Sequence, residues 1–265
     1  MDVGADGHIV RVMPRPVPPQ VIPRPADWRL GDEAPWATAP VSARRDISLA
    51  RVRAALAAHG QRGPVPGGIG VDQILVPAVV VDQTEPSEGD RVINAAVLAV
   101  LFEEEGEARL IFTRRSTSLR SHRGEVSFPG GRLDEGEDPP AAALREAYEE
   151  ISLDPALVTM EGWIHPVLTV VTGSLIMPIV ASVPARPHLV ASPAEVERVF
   201  DVSLRDLADL ENFHEERWRL GERRVPGTSD DPFTVWFFEV EGEMIWGATA
   251  RMIHELLSVV LAPLD

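Results

Sequence analysis

The chain is 265 residues long, with 41 acidic residues against 25 basic ones and a formal charge of -16; so acidic a molecule is ill suited to broad electrostatic docking on nucleic acid or an anionic membrane. It has no cysteine, which excludes disulfides, thiolate zinc sites, iron–sulfur clusters and cysteine nucleophiles and is consistent with a cytoplasmic protein. All 25 cations are arginine, so a lysine Schiff base and a Walker-type phosphate loop are excluded as well.

Residues 1–45 read as a proline-rich, unpatterned arm, with Pro14, Pro16, Pro18, Pro19, Pro23 and Pro25 and without the apolar segment of a secretory signal. Trp28 and Trp36 predict that part of this arm packs on something. A connecting piece, 46–72, holds a helix over 47–59, with Ile47, Val52 and Leu56 on one side, and a Gly/Pro loop over 60–70. Residues 73–265 are the expected folded domain. Strand-like runs occupy 73–81, 94–102 and 108–114, the last two joined by a hairpin loop at 103–106. A further run over 124–128 leads into Phe128-Pro129-Gly130-Gly131, where tight glycines let backbone approach a ligand closely. A helix follows. Beyond it, 164–171 and 175–183 read as buried strands around a turn at 172–174. Pro166, Gly173 and Pro178 argue against a transmembrane helix there. Residues 194–200 read as a short helical turn, followed by an element over 202–210. Segments 217–224 and 234–240 look like two strands, and 248–261 like an amphipathic closing helix. The aromatic stretch 233–238 fits a core strand or a dimer interface equally well. Strands mixed with helices predict an α/β fold, a mixed sheet covered by helices.

The helix after Gly131 carries the most specific signal. Asp138 followed by Pro139 and Pro140 marks its start, an N-cap and then residues that need donate no hydrogen bond. At about 100° per residue, with Glu146 at zero, Glu149 falls near about -60° and Glu150 near about +40°. Leu144, Ala147, Tyr148 and Ile151 fall on the opposite side, so one face is apolar and the other carries three carboxylates. At ~6 Å and an effective dielectric of 20, each pair of those charges repels by roughly 3 kcal/mol before screening. Arg145 offsets part of that, and a divalent cation would remove it; an oxygen-rich, thiol-free cluster suits Mg2+ or Mn2+. The alternative is a merely solvated acidic face.

In register, Gly131, Glu137, Arg145, Glu146, Glu149, Glu150 and Leu153 reproduce the pattern G-x5-E-x7-R-E-U-x-E-E-x-G-U, with U a bulky aliphatic residue. The chain therefore resembles the Nudix hydrolases. Ala147 departs from the pattern by being small, and Ser152 by replacing the last glycine, which puts the helix end in question. The resemblance implies a Nudix-like α/β/α sandwich with a central mixed sheet, and hydrolysis of a nucleoside diphosphate linked to another group. It implies Glu146, Glu149 and Glu150 as ligands of Mg2+ or Mn2+, Glu137 in support, the Gly130 carbonyl as a further ligand, and Arg145 orienting the glutamates. The catalytic set is then Glu146, Glu149 and Arg145, with the general base open between Glu146 and Glu195.

Upstream, Arg115, Ser116, Leu119, Arg120, His122, Gly124, Val126 and Phe128 to Gly131 resemble the extended signature of the coenzyme A pyrophosphatase branch. Trp246-Gly247-Ala248-Thr249-Ala250 is similar to the segment that opens that branch's last helix. The resemblance spans about residues 73–261. It implies a small-molecule nucleotide substrate of the coenzyme A class, with Arg114, Arg115, Arg120, His122 and Arg123 meeting its phosphates. Arginine forks suit phosphate oxygens, although these arginines could instead pair with acids such as Glu125 or Asp134, and His122 could simply order the turn into Gly124. ADP-ribose or a dinucleotide is the alternative substrate, a non-catalytic nucleotide-binding regulator the alternative function, and a homodimer a possible assembly.

Overall fold

The computed structural model describes residues 20, 22–63, 93–119, 122–169, 174–219 and 232–263. The strand expected at 73–81, most of the 60–70 loop, the turn at 172–173 and Arg120 lie outside them.

The centre is a pair of parallel strands, β2 (Ala95–Glu104) and β8 (Leu175–Ser182). Both are nearly continuous apolar runs, the composition a parallel pair needs when helices cover both of its faces. β2 turns into β3 (Glu107–Arg115) through Glu105-Gly106, both with positive φ (52° and 81°), the hand that a twisted two-residue hairpin requires. The expected 103–106 loop is therefore tighter than its sequence suggests. β4 (Val126–Ser127) pairs with β3, β5 (Gly130–Arg132) with β2, and β6 (Thr159–Trp163) and β7 (Val167–Leu168) with β8. β9 (Val196–Ser203) lies antiparallel to β3 and completes an eight-stranded mixed sheet among the described residues.

α3 (Pro139–Ile151) covers one face of this sheet, burying Ala142, Ala143, Ala147 and Ile151 among Ala96, Leu98, Val100, Met177 and Ile179. Three alanines let the helix sit close, which accounts for Ala147 standing where the pattern has a bulkier residue. α2 (Leu49–Ala58) and α5 (Gly247–Leu261) cover the other face, where Val52, Leu56, Ile253 and Leu257 meet Leu101, Leu110 and Phe112. This is the expected α/β/α sandwich. A second, antiparallel sheet follows the order β1 (Arg29–Leu30), β10 (Phe213–Trp218), β11 (Phe233–Val240), β12 (Glu243–Trp246). Phe237 and Phe238 of β11 are wholly buried, so the aromatic stretch fills core within the protomer.

Three expectations need correction. The helical turn expected at 194–200 ends at Glu195, where Val196 N–H donates to the Ser192 carbonyl at 2.8 Å. Val196, Phe200 and Val202 are buried at even positions, on one face of a strand, and the segment enters the sheet as β9. A strand not expected, β6, lies at Thr159–Trp163, and among the described residues of the run expected at 164–171 Val167–Leu168 form a strand. Glu161 lies within β6 with its carboxylate buried against Arg53 and Ser182. The strand expected at 217–224 begins earlier, at Phe213, and its portion beyond Arg219 lies outside the described residues.

One irregularity positions the site. The same edge of β2 pairs with β3 over Leu101 to Glu104 but with β5 over Ala95 to Val97. Between them Leu98 N–H donates to the Pro129 carbonyl at 2.8 Å. The β3 strand has peeled away, and the 128–131 segment occupies the gap.

Candidate active site

Local chemistry brings α3 to this gap. The Asp138 side chain accepts from Ala141 N–H at 2.8 Å, and Pro139 and Pro140 occupy the first turn. The helix ends at Ser152, whose left-handed conformation (φ 56°) is the one for which the pattern uses glycine. Ser152 N–H still reaches the Tyr148 carbonyl (2.9 Å) and Leu153 N–H the Ala147 carbonyl (3.3 Å), so the cap forms without glycine.

Two glycines fit the 128–131 segment between β2 and the helix. A Cβ on Gly130, at φ 155°, would collide with the Ala96 carbonyl and with Val97 across the strand pair. A Cβ on Gly131 would instead land on the Glu146 carboxylate, which therefore rests directly over that backbone.

The carboxylates divide into two groups. Arg145 gathers the first: it meets Glu137 at 2.9 Å, Glu146 at 2.9 Å and Glu149 at 3.5 Å, and donates to the Arg132 carbonyl at 3.0 Å. Its hydrogen bonds hold the Glu137 carboxyl below its usual range, helped by the Asp134 N–H and raise the guanidinium's own pKa. Glu149 is half exposed at 55%. Glu150 forms the second group. Its side chain is 3% exposed, accepts from Gly130 N–H at 3.2 Å, and faces Arg115 Nη1 at 3.8 Å. Burial pushes its carboxyl up to about 7 against the pull of Gly130 N–H and Arg115, and the Glu146 and Glu195 carboxylates push the same way. A displacement from 4.5 to about 7 corresponds to about 3 kcal/mol against ionisation.

Glu195 is exposed, on a segment tied to both sides of the site. Its carbonyl accepts from Ser116 N–H (2.7 Å), while Ser192 and Val190 N–H groups donate to the carbonyls of Glu150 (2.8 Å) and Ile151 (3.0 Å). Of the basic residues singled out in the sequence, Arg115 stands beside Glu150. Arg123 is exposed and donates to the Leu119 carbonyl at 2.5 Å; His122, at φ 55°, binds Glu125 at 2.8 Å. Arg114 is buried against Glu243 (2.5 Å) and Glu197 (3.6 Å). Glu243 carried no signal in the sequence, because it lies 129 residues from Arg114 on another strand.

Among the described residues no three His, Asp or Glu side chains already stand in an arrangement that could hold a metal ion; Arg145 is the present counter-ion of Glu146 and Glu149. The donor set nevertheless fits a hard divalent cation. It is all oxygen, and Glu150 is buried within reach of two further carboxylates whose repulsion a cation would relieve. No helix among the described residues is long and apolar enough to cross a membrane.

Comparison with known proteins points to one family. The NUDIX domain family model matches residues 92–223. A Citrobacter koseri protein named Uncharacterized Nudix hydrolase NudL is 37% identical over 175 residues, covering 64% of this chain and 86% of its own length. Nudix hydrolase 22, chloroplastic, of Arabidopsis thaliana is 38% identical over 176 residues, covering 63% of this chain and 55% of its own. Among solved structures, the Nudix hydrolase RenU of M. Smegmatis matches at 22% identity over 44% of this chain and 74% of its own, with a TM-score of 0.36. The α/β/α sandwich with a glutamate-bearing helix against a glycine turn defines a Nudix protein. The chain belongs to the NUDIX domain family, and its curated relatives bear the name Nudix hydrolase.

Proposed function

We propose that the chain is a metal-dependent hydrolase of the diphosphate in coenzyme A or its thioesters, yielding 3',5'-ADP and 4'-phosphopantetheine or its acyl form. The observation that carries this reading is the meeting of Arg115, from the basic 115–123 segment, with the buried Glu150 of the acidic helix. Glu146, Glu149 and Glu150 would hold Mg2+ or Mn2+, with Glu137 and the Gly130 carbonyl in support. Bound there, the ion would neutralise diphosphate charge and lower the pKa of the attacking water. Arg145 keeps Glu137, Glu146 and Glu149 gathered on one side of α3. Arg115, with Arg120, His122 and Arg123, meets the phosphates of the substrate, including the additional 3'-phosphate. Arg114, committed to Glu243, enters as an anchor of that segment. Glu146 and Glu195 are the candidates for the general base, Glu146 lying over Gly131 and Glu195 near Glu150. The protein would work in the cytoplasm on a small-molecule substrate.

Turnover of coenzyme A by purified protein with Mg2+ or Mn2+, beside the Glu150→Gln variant, tests this. The variant is expected to lose on the order of 100-fold in kcat, and Mn2+ binding followed by electron paramagnetic resonance should weaken in parallel. Equal turnover by both proteins would remove the catalytic assignment. Cleavage of ADP-ribose or a dinucleotide but not coenzyme A would remove the substrate alone.

A further inference from the structure

A buried charge network joins the two sheets at the foot of the hairpin between β3 and β4. Glu243 opens β12 directly after the Glu241-Gly242 turn, whose positive φ values (54° and 72°) mark a tight connection. Its carboxylate is 2% exposed and accepts from Arg114 Nη1 at 2.5 Å on one oxygen and from Arg198 Nη1 at 3.0 Å on the other. Arg114 immediately precedes Arg115 and pairs with Val126 across the β3–β4 ladder. Its guanidinium also lies against Gly124, where a Cβ would sit 3.4 Å from Nη2. Gly124 closes the hairpin. Its N–H donates to the Arg115 carbonyl (3.1 Å), and Arg115 N–H donates to the Glu125 carbonyl (2.9 Å). The Gly124 carbonyl in turn accepts from Gln20 of the N-terminal arm at 2.7 Å.

We infer that Glu243 is a positioning residue for substrate binding, acting through Arg114 and Gly124 on the hairpin that carries Arg115, His122 and Arg123. The inference rests on the reading that this hairpin meets the substrate phosphates. Glu243 pairs with Arg114 and Arg198, away from the carboxylates of α3; its contribution is to fix one guanidinium as a floor for the hairpin. With Glu243 neutralised, the Arg114 guanidinium keeps its second carboxylate, Glu197, at 3.6 Å, and a cation drawn toward that acid or toward water shifts the stem that holds Arg115 in register. The tight Glu241-Gly242 turn sets Glu243 at the start of β12, so the second sheet meets that stem through Arg114.

Glu243→Gln in the full chain tests the inference, because the amide keeps the shape and loses the charge assistance. Amide hydrogen exchange at Arg115, Gly124 and Glu125 is expected to quicken while β2 and α3 stay protected. With Mn2+ and coenzyme A, KM is expected to rise roughly five- to tenfold with kcat within about twofold, the signature of lost binding that is uniform between ground and transition states. Arg115→Ala alone should raise KM, and adding Glu243→Gln to it should raise KM little further. Unchanged exchange in the hairpin overturns the inference, as does a KM unaffected by Glu243→Gln where Arg115→Ala raises it. Strictly additive losses that follow thermal stability also overturn it, since they mark a merely structural residue. If Arg115→Ala leaves KM unchanged, the assignment of the hairpin to substrate is what fails, whatever the exchange shows.

Discussion

Ser152 and His254 show how much a single position can decide. Ser152 holds a left-handed conformation that costs a residue with a Cβ about 1 kcal/mol and a glycine almost nothing. Ser152→Gly is therefore expected to stabilise the protein by about 1 kcal/mol in chemical denaturation, with metal-dependent turnover unchanged. His254 stands among aromatic rings, stacked on Trp236 at 4.5 Å and flanked by Trp36 (5.5 Å) and Phe213 (6.1 Å). Burial, and then the charge of Arg251, push its pKa down to about 4. The unfolded chain takes up this proton near 6.5 while the folded one resists until about 4. Stability present above pH 6.5 is thus lost as pH falls through that window, by about 3 kcal/mol at its lower end. Urea titrations at pH 7.5 and 4.5 should show His254→Phe losing less over this interval than the wild type.

At the scale of the element, the 128–131 segment does two jobs that neighbouring glycines keep apart. Gly130 belongs to the sheet: its missing Cβ leaves room for the Ala96 carbonyl and Val97. Gly131 belongs to the site: its missing Cβ leaves room for the end of the Glu146 side chain. Backbone cannot move aside as a flexible side chain can. Gly130→Ala is expected to cost at least about 2 kcal/mol of stability. Gly131→Ala should cost less than about 1 kcal/mol while displacing Glu146, so that activity falls in a protein that still melts close to the wild-type temperature. Thermal denaturation and turnover measured on both variants separate the two roles, and a reversed pattern would show that they have been exchanged.

The whole molecule is tied together by residues far apart in the chain. Trp36, from the arm, is 2% exposed, donates its indole N–H to the Ala208 carbonyl at 3.1 Å, and packs on Phe213 and Phe238. Nearby, Arg24 reaches the wholly buried Glu216 at 2.6 Å, and β1 adds an edge to β10. Trp36→Ala is expected to cost about 3–5 kcal/mol by denaturant unfolding, an effect of core size from a residue of the proline-rich arm, in line with the packing its tryptophans predict. An unchanged midpoint would show that the arm merely rests on the surface.

Periodicity and spacing made the acidic helix, its proline start, its glycine turn and both covering helices legible, because each is written within a dozen or so consecutive residues. The spacing of Glu146, Glu149 and Glu150 places them on one side of α3 whatever surrounds it. What chain proximity cannot express was decided by tertiary structure. Val196 to Ser203 became a strand because β3 offered an edge, and Glu161 could lie in β6 because Arg53, 108 residues away, met its charge. The same held at the site. Arg114 and Arg115 are adjacent and chemically identical, yet one is buried on Glu243 and the other faces Glu150. Local sequence set which groups were present and how they repeat along an element; long-range burial decided which of those charges found a partner and which were left facing the site, because the cost of an unpaired buried charge depends on whatever the fold brings beside it.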